Sequence, residues 1–197
     1  GDKWRDDAIT QLRRYQECDE AFRNEGAPTL FHTAQILIAA CGEHACYGTT
    51  NTPARAYLDW PQPYPATLDE LHATFGDLPQ GVRAQERVLY SLLRPESLLD
   101  IVKNFVVFET EEGRVVKKLC RYKQLIAANR AIHRVTSARR RSERGGVVWH
   151  TQGSGKSLTM LWLALKLRRD PRLQNPGLII VTDRTSLDSQ ITGTFEN

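Results

Sequence analysis

The chain has 197 residues, of which 41% are hydrophobic and 25% are charged, proportions that are ordinary for a globular protein. It contains no apolar run near the ~20 residues of a membrane-spanning helix and no signal peptide, so we expect a cytoplasmic protein without a membrane partner. The four cysteines form no Cys-x-x-Cys pair and have no clustered histidines beside them. This pattern favours free thiols over a zinc site.

Charge is distributed unevenly along the chain. Residues 1–113 carry 10 basic and 18 acidic side chains, whereas residues 114–144 carry 11 basic side chains and Glu143 as their one acidic residue. A solvated helix face is the ordinary explanation of a charge run. An excess this large in so short a segment nevertheless favours a polyanionic partner.

The first third of the chain predicts a helix followed by a hairpin. Residues 6–23 have helical periodicity with Ala8, Leu12 and Tyr15 along one side, and Gln11 lies four residues before Tyr15 on the same face. Residues 35–40 and 45–49 are predicted strands around a turn at 41–43. The proline-rich run 60–65 is predicted to cross the surface in an extended conformation, as a boundary between elements.

The middle third predicts short helices, a second hairpin and a basic helix. The short helices begin near Thr67 and are broken at Pro79 and Pro95. Strands are predicted at 106–109 and 115–119, around a turn at 111–114. Residues 121–138 then form a basic amphipathic helix whose apolar side is predicted from the 3.6-residue period. That side contains Tyr122, Leu125, Ile126, Ile132 and Val135.

The segment 145–157 has the pattern of a phosphate-binding loop. Val147, Val148 and Trp149 predict a short buried strand, residues 150–155 a loop of small residues, and Lys156 the start of a helix with apolar residues at 158, 161, 162 and 165. His150 stands where the first glycine of such loops usually falls. A plain Gly/Ser-rich turn between a strand and a helix is the alternative.

The chemistry of this loop follows from its residue types. Gly153 and Gly155 allow left-handed dihedral angles, so the N–H groups of Gly153, Ser154 and Gly155 can point at one anion. The helix N-terminus adds partial positive charge. Lys156 would neutralise β- and γ-phosphate oxygens, and the Ser157 hydroxyl would be a ligand of the accompanying Mg²⁺. We therefore predict ATP and Mg²⁺ as cofactors.

A second strand and helix are predicted after the loop. Residues 178–182 predict a buried strand, and a last helix is predicted from Ser186. Two successive strand–helix units predict a parallel sheet with right-handed crossovers. Trp149 and Trp162 are both expected in the core, and His133 on a helix surface.

These residues together resemble the restriction (R) subunit of type I restriction-modification enzymes, which joins a nuclease to a superfamily 2 DNA-translocating motor. Residues 148–160 resemble motif I of that motor. Residues 181–191 resemble the next motif, which implies a DNA-backbone contact at Arg184. Residues 121–124 resemble its adenine-recognising segment, which implies that Gln124 reads the base and that Arg121 or Tyr122 stacks on it. Residues 7–15, 30–31 and 45–49 are similar to the end of the nuclease domain.

The resemblance implies an α/β fold. A P-loop (RecA-like) parallel sheet would begin in the C-terminal part, preceded by the α/β end of a PD-(D/E)xK-type nuclease domain. It divides the chain into the end of a nuclease-like domain (1–65), a helical and β-hairpin connector (66–113) and the start of the motor lobe (114–197). The implied partners are double-stranded DNA and the methyltransferase (M) and specificity (S) subunits.

The resemblance also implies that Gln11 and Tyr15 support the nuclease site. Its metal-binding carboxylates are expected before this chain, and the second ATPase motif beyond Asn197. Two alternatives stay open: a superfamily 2 helicase without a nuclease, and a non-catalytic nucleic-acid-binding module. For Gln124, the alternative is an exposed helix residue without a role.

Overall fold

A computed structural model of the protein describes residues 3–76, 81–111 and 114–181. The chain forms two compact units, Gly1–Leu119 and Cys120–Asn197. Several predictions lie outside the described residues: Arg184, the motif around it, the helix from Ser186 and the break at Pro79. The division into three domains stays a prediction.

The first unit begins with a helix packed on a hairpin. Helix α1 (Lys3–Tyr15) lies against strands β1 (Leu37–Ala40) and β2 (Ala45–Gly48), which pair antiparallel with Ala40 opposite Ala45. The predicted hairpin and its turn are confirmed. A buried cluster joins the helix to the sheet, and its members are Ile9, Ala39, Cys46 and Tyr57, with Trp4, Ala8 and Leu12 packed against them.

The predicted extent of α1 was wrong, and Tyr15 lies outside the buried face of the helix. The helix ends at Tyr15 because the chain folds back over it: the Ala27 N–H donates to the Tyr15 carbonyl at 3.0 Å, and a Cβ on Gly26 would lie 2.4 Å from that oxygen. The Tyr15 side chain is 44% exposed. The buried face centres on Ile9, Leu12 and Gln16, about 90° around the helix from Tyr15.

Three short helices and a second hairpin complete this unit. They are α2 (Leu68–Phe75), α3 (Ala84–Leu93), α4 (Pro95–Asn104), β3 (Val106–Glu111) and β4 (Arg114–Leu119). Helix α2 starts with a capping box, in which Thr67 accepts the Glu70 N–H and Glu70 accepts the Thr67 N–H. Pro95 occupies the first turn of α4, where its missing N–H costs nothing. Strands β3 and β4 pair antiparallel, as predicted.

The proline-rich run starts in the core. Trp60 is 2% exposed and meets Tyr47 edge to face, with ring centroids 5.5 Å apart. The prediction of a surface segment was therefore wrong at Trp60, whose large apolar ring outweighs the prolines that follow it.

The second unit contains two packed helices. Helix α5 (Tyr122–Ser137) begins and ends one residue inside its predicted bounds, and α6 (Lys156–Arg169) begins at Lys156 as predicted. The helices bury apolar residues and pack on each other, and a 3₁₀ turn at Arg141–Glu143 lies between them in the chain. The buried apolar residues are Leu125, Ala128, Ile132, Leu161, Trp162 and Ala164.

The strands predicted on either side of α6 are not present in the described residues. Residues 147–149 and 178–181 pair with no strand among the described residues, and Val147, Trp149 and Ile179 are about nine-tenths exposed. Among the described strands, both sheets are two-stranded and antiparallel. A hairpin strand finds its partner across a short turn, whereas a parallel strand needs one brought to it by a long crossover. Burial of Trp162 is confirmed, and that of Trp149 was wrong.

Candidate nucleotide-binding site

The loop before α6 has the backbone geometry that an anion site needs. Gly153 and Gly155 have φ values of +73° and +80°, in the left-handed region that favours glycine. Gly155 is the N-cap of α6, so the first N–H groups of the helix open at the end of the loop. The loop therefore combines backbone donors with the positive end of a helix.

The Thr151 carbonyl organises the loop from inside. It accepts hydrogen bonds from the Ser154 hydroxyl at 2.7 Å, the Ser154 N–H at 3.3 Å and the Lys156 ammonium at 3.0 Å. Lys156 thus folds back over the loop while its side chain stays exposed. A phosphate group would compete with this neutral carbonyl for the ammonium, and a charge-assisted hydrogen bond is the stronger of the two. Ser157 follows in the first turn of α6.

Gln124 joins the start of α5 to this loop. Its Oε1 accepts the Arg121 N–H at 2.7 Å, and its Nε2 donates to the carbonyls of Ser154 at 3.1 Å and Gly155 at 3.0 Å. The residue is 2% exposed, so the alternative of an exposed helix residue was wrong. Arg121 is the N-cap of α5 and its side chain is exposed.

Sequence reasoning missed the contact between Gln124 and the loop. A glutamine three residues after an N-cap can accept the N-cap backbone N–H, which is one half of a capping box, and Gln124 does so with Arg121. That pattern indicates the bond to Arg121, but the bonds to Ser154 and Gly155 join residues 30 and 31 positions away. Local periodicity holds no information about such pairs.

Two separate features restrict position 155 to glycine. Besides its positive φ, a Cβ at this position would lie 2.6 Å from the Gln124 Nε2. Gly153 has the same backbone conformation, but nothing lies within 4 Å of its hypothetical Cβ. The close approach of helix α5 therefore requires glycine at 155 for a reason that does not apply at 153.

His150 is a polar group of the loop that lacks a partner. Its side chain is partly buried, and no described group makes a hydrogen bond to its Nδ1. Burial lowers the pKa of His150, and the charges of Lys156 and Lys123 lower it further. The neutral form of the imidazole is therefore favoured.

The nuclease-associated pair lies on an exposed face of α1. The Gln11 Nε2 donates to the Tyr15 hydroxyl at 2.6 Å, so the structure brings the two predicted side chains together. Within residues 3–76, 81–111 and 114–181, no three His, Cys, Asp or Glu side chains are grouped so that they could hold a metal ion.

Two further features concern the chain as a whole. Cys18, Cys41, Cys46 and Cys120 are all free thiols. In the part of the chain that the structure describes, none of the helices is both long and apolar enough to cross a membrane.

One protein-family model and several curated proteins match this chain. The SWI2/SNF2 ATPase family model matches residues 123–197. The type I restriction enzyme HindI endonuclease subunit of Haemophilus influenzae is 36% identical over 90% of the chain, which covers 16% of that relative. A putative type I restriction enzyme endonuclease subunit of Methanocaldococcus jannaschii, MjaVIIIP, is 29% identical over 94% of the chain and is also covered to 16%.

No solved structure matches the chain significantly. The chain spans about a sixth of the length of the curated relatives it matches first. These relatives match at least 90% of the chain, and the chain belongs to the family of type I restriction enzyme endonuclease subunits.

Proposed function

We propose that this chain is the section of a type I restriction endonuclease subunit that leads from its nuclease domain into its ATP-driven DNA-translocating motor, with residues 150–157 as the nucleotide site. One observation carries the proposal. The Lys156 ammonium is folded over a loop that has two left-handed glycines and opens directly into α6. That arrangement holds a positive charge and several backbone donors around one position.

Each loop residue has a part in binding the phosphates. The N–H groups of Gly153, Ser154 and Gly155 would donate to phosphate oxygens, and Lys156 would exchange the Thr151 carbonyl for them. The Ser157 hydroxyl would be one ligand of Mg²⁺, the ion that neutralises charge developing on the phosphates. Catalysis would then rest on positioning and electrostatic stabilisation.

In this proposal Gln124 has two roles and Arg121 has one. The Gln124 amide holds the Ser154 and Gly155 carbonyls, so it fixes the loop on α5. To read adenine, the Gln124 amide would have to release these partners, so that Oε1 accepts from N6 and Nε2 donates to N7, while Arg121 or Tyr122 stacks on the base. Base selection and loop position would then depend on the same side chain.

The exposed apolar runs beside α6 support a larger sheet. Residues 147–149 precede the loop and residues 178–181 follow α6, as strands do in a parallel sheet with helical crossovers. A RecA-like lobe would pair these runs and cover Val147, Trp149 and Ile179. The motor lobe would then comprise residues 114–197, after a nuclease-like part at 1–65 and a connector at 66–113.

The remaining assignments concern the whole subunit. Gln11 and Tyr15 would support the nuclease site, Arg184 would contact the DNA backbone, and double-stranded DNA would be the substrate. Methyltransferase and specificity subunits would complete the assembly, in a cytoplasm that keeps the four free thiols reduced.

Replacing the loop lysine tests the nucleotide site. In the full-length subunit, Lys156→Ala should lower the rate of ATP hydrolysis by about 100- to 1,000-fold or more, because the γ-phosphate loses its charged partner. The fold should be unaffected, because Lys156 is exposed. Circular dichroism and steady-state ATPase assays measure both.

Lys123→Ala is the matched control. It removes the same charge close to the loop, from a side chain whose ammonium lies 5.8 Å from the Tyr122 ring centroid. We expect a change of a few-fold or less. Wild-type turnover in Lys156→Ala would contradict the proposal. An equal loss in both variants would show that ATP hydrolysis depends on the overall positive potential near the loop and not on Lys156 itself.

A further inference from the structure

A second basic feature of the second unit lies outside the nucleotide loop. Four arginines follow α5 within six residues: Arg139, Arg140, Arg141 and Arg144. All four side chains are exposed, as are Arg130 and Arg134 on the preceding helix. We call these six arginines the connector surface.

The connector is held against α5. The Arg134 Nε donates to the Glu143 carbonyl at 2.9 Å, and a Cβ on Gly146 would lie 3.7 Å from the Arg134 Cδ. The 3₁₀ turn at Arg141–Glu143 gives the intervening residues a regular backbone. The Arg134 side chain lies beside both Glu143 and Gly146, so the connector arginines follow directly on the part of α5 that carries Arg130 and Arg134.

The charge of the connector surface is not neutralised within the described residues. Glu143 is the one acidic residue between 120 and 169, and its carboxylate accepts the Arg140 backbone N–H at 3.2 Å. None of the six guanidinium groups forms a salt bridge with a carboxylate in the described ranges. Exposed and unneutralised guanidinium groups are the side chains that best suit phosphate oxygens.

The composition of the segment selects the kind of polyanion. Residues 130–146 contain no Phe, Tyr or Trp, and His133 carries their one aromatic ring, so they offer little on which the bases of a single strand could stack. What they offer is mainly positive charge, which suits a duplex backbone with regularly spaced phosphates.

We propose that the connector surface binds the phosphate backbone of double-stranded DNA, independently of base sequence, as a contact additional to the nucleotide site. The proposal rests on the proposed function for its choice of DNA as the partner. The attraction between these arginines and DNA phosphates does not depend on ATP hydrolysis. Such contacts carry no sequence information, but they add affinity and fix the duplex in position.

The test measures binding of a duplex to the full-length subunit without nucleotide, across about 50 to 200 mM salt. Arg140→Gln/Arg141→Gln should lower the slope of log K against log[salt] by about 1.8, and weaken binding at least about tenfold near 0.1 M salt. Because no ATP is present, this result is independent of the Lys156→Ala assay. A failure of one proposal is therefore distinguishable from a failure of the other.

Two matched variants complete the design. Arg140→Lys/Arg141→Lys keeps the charges and should keep most of the slope. Arg23→Gln/Arg55→Gln removes two exposed arginines from the first unit, and should leave the slope unchanged. An unchanged slope in Arg140→Gln/Arg141→Gln would overturn the proposal. So would an equal loss in either control, or a loss seen with single-stranded DNA and not with the duplex.

Discussion

The two compact units of the chain differ in whether their apolar, strand-forming segments are paired. In the first unit, each described strand has an antiparallel neighbour within a few residues, and the sheet at β1 and β2 is covered by α1. In the second, α5 and α6 pack on each other, while residues 147–149 and 178–181 are exposed and pair with no strand in the part of the unit that the structure describes. The composition of the segments does not explain the contrast, because Val, Ile and Trp are good strand formers.

The contrast follows from how far apart in the sequence a strand and its pairing partner lie. A hairpin closes a short loop, whose entropic cost is small, so the strands of the first unit pair locally. A parallel strand needs a neighbour from beyond a crossover helix. Helix α6 and the loop therefore take their local form from residues 120–170, whereas the flanking runs have no pairing partner among the described residues.

Replacing a buried tryptophan in each unit gives the largest expected effect. Trp60 and Trp162 are both almost fully buried. Trp60→Ala should lower the free energy of unfolding of the first unit by about 3–5 kcal/mol, because its helices and sheet cannot collapse fully onto the cavity. Trp162→Ala should instead raise amide exchange in α5 and α6, whose contact rests on few other large side chains. Hydrogen exchange of the full-length variants measures both.

The two variants show whether each unit depends on its buried tryptophan. If exchange in α6 were unchanged in Trp162→Ala, the helix would be held by something other than its packing on α5. If Trp60→Ala affected only the residues next to it, the first unit would not unfold as one cooperative body.

How far the sequence predicts this molecule depends on the range of each interaction. Both hairpins and the starts of α5 and α6 follow from periodicity and turn residues. The loop was found because its glycines, Lys156 and Ser157 are adjacent in the chain. Three features were missed: the end of α1 under Gly26, the burial of Trp60, and the bond from Gln124 to the loop. The Trp60 packing and the Gln124 bond join residues that are distant in the sequence, and the Gly26 cap follows an irregular loop.

Two glycines of the loop separate backbone strain from helix contact. Gly153→Ala should cost about 1–2 kcal/mol of local stability, because alanine must adopt a positive φ. Gly155→Ala adds a Cβ 2.6 Å from the Gln124 Nε2, so it should also break the bonds from Gln124 and cost about 1–3 kcal/mol more. Nucleotide affinity, measured by calorimetry, should fall more in Gly155→Ala.

Gly42→Ala is the control from the first unit. Its φ is +88° and nothing lies within 4 Å of a Cβ, so only the strain applies and nucleotide binding should be unaffected. Equal affinities in Gly153→Ala and Gly155→Ala would show that the contact between α5 and the loop does not matter for binding.

Gln124→Ala tests whether the loop contact and base selection share one residue. Losing the amide leaves the Ser154 and Gly155 carbonyls without their donor, so kcat/KM for ATP should fall by about 1–3 kcal/mol in activation free energy. If Gln124 also reads the base, the preference for ATP over GTP should shrink as well. Equal losses for both nucleotides would assign it to the loop alone, and unchanged rates and preference would leave it with no role.

The smallest expected effect concerns His150 and pH. Burial, and then the charges of Lys156 and Lys123, hold the pKa of His150 below its ordinary value of 6.5. In the folded chain the neutral form is favoured. The unfolded chain therefore binds more protons below about pH 6.5, and this histidine reduces stability as the pH falls through that range. A bound phosphate would oppose the field of Lys156 and raise the pKa of His150 again.

Linkage then fixes the direction of the effect on binding. Because phosphate raises the pKa of His150, nucleotide binding takes up a proton, and affinity should rise as the pH falls below about 6.5. One pKa unit corresponds to a tenfold change in affinity, so the gain should stay below about tenfold. Binding of a non-hydrolysable ATP analogue to the wild type and to His150→Gln, from about pH 8 to 5.5, measures it. Protonation of the analogue itself is common to both proteins, so the difference between the two curves isolates the histidine. Superimposable curves would mean that the charge of His150 is not coupled to the bound phosphates.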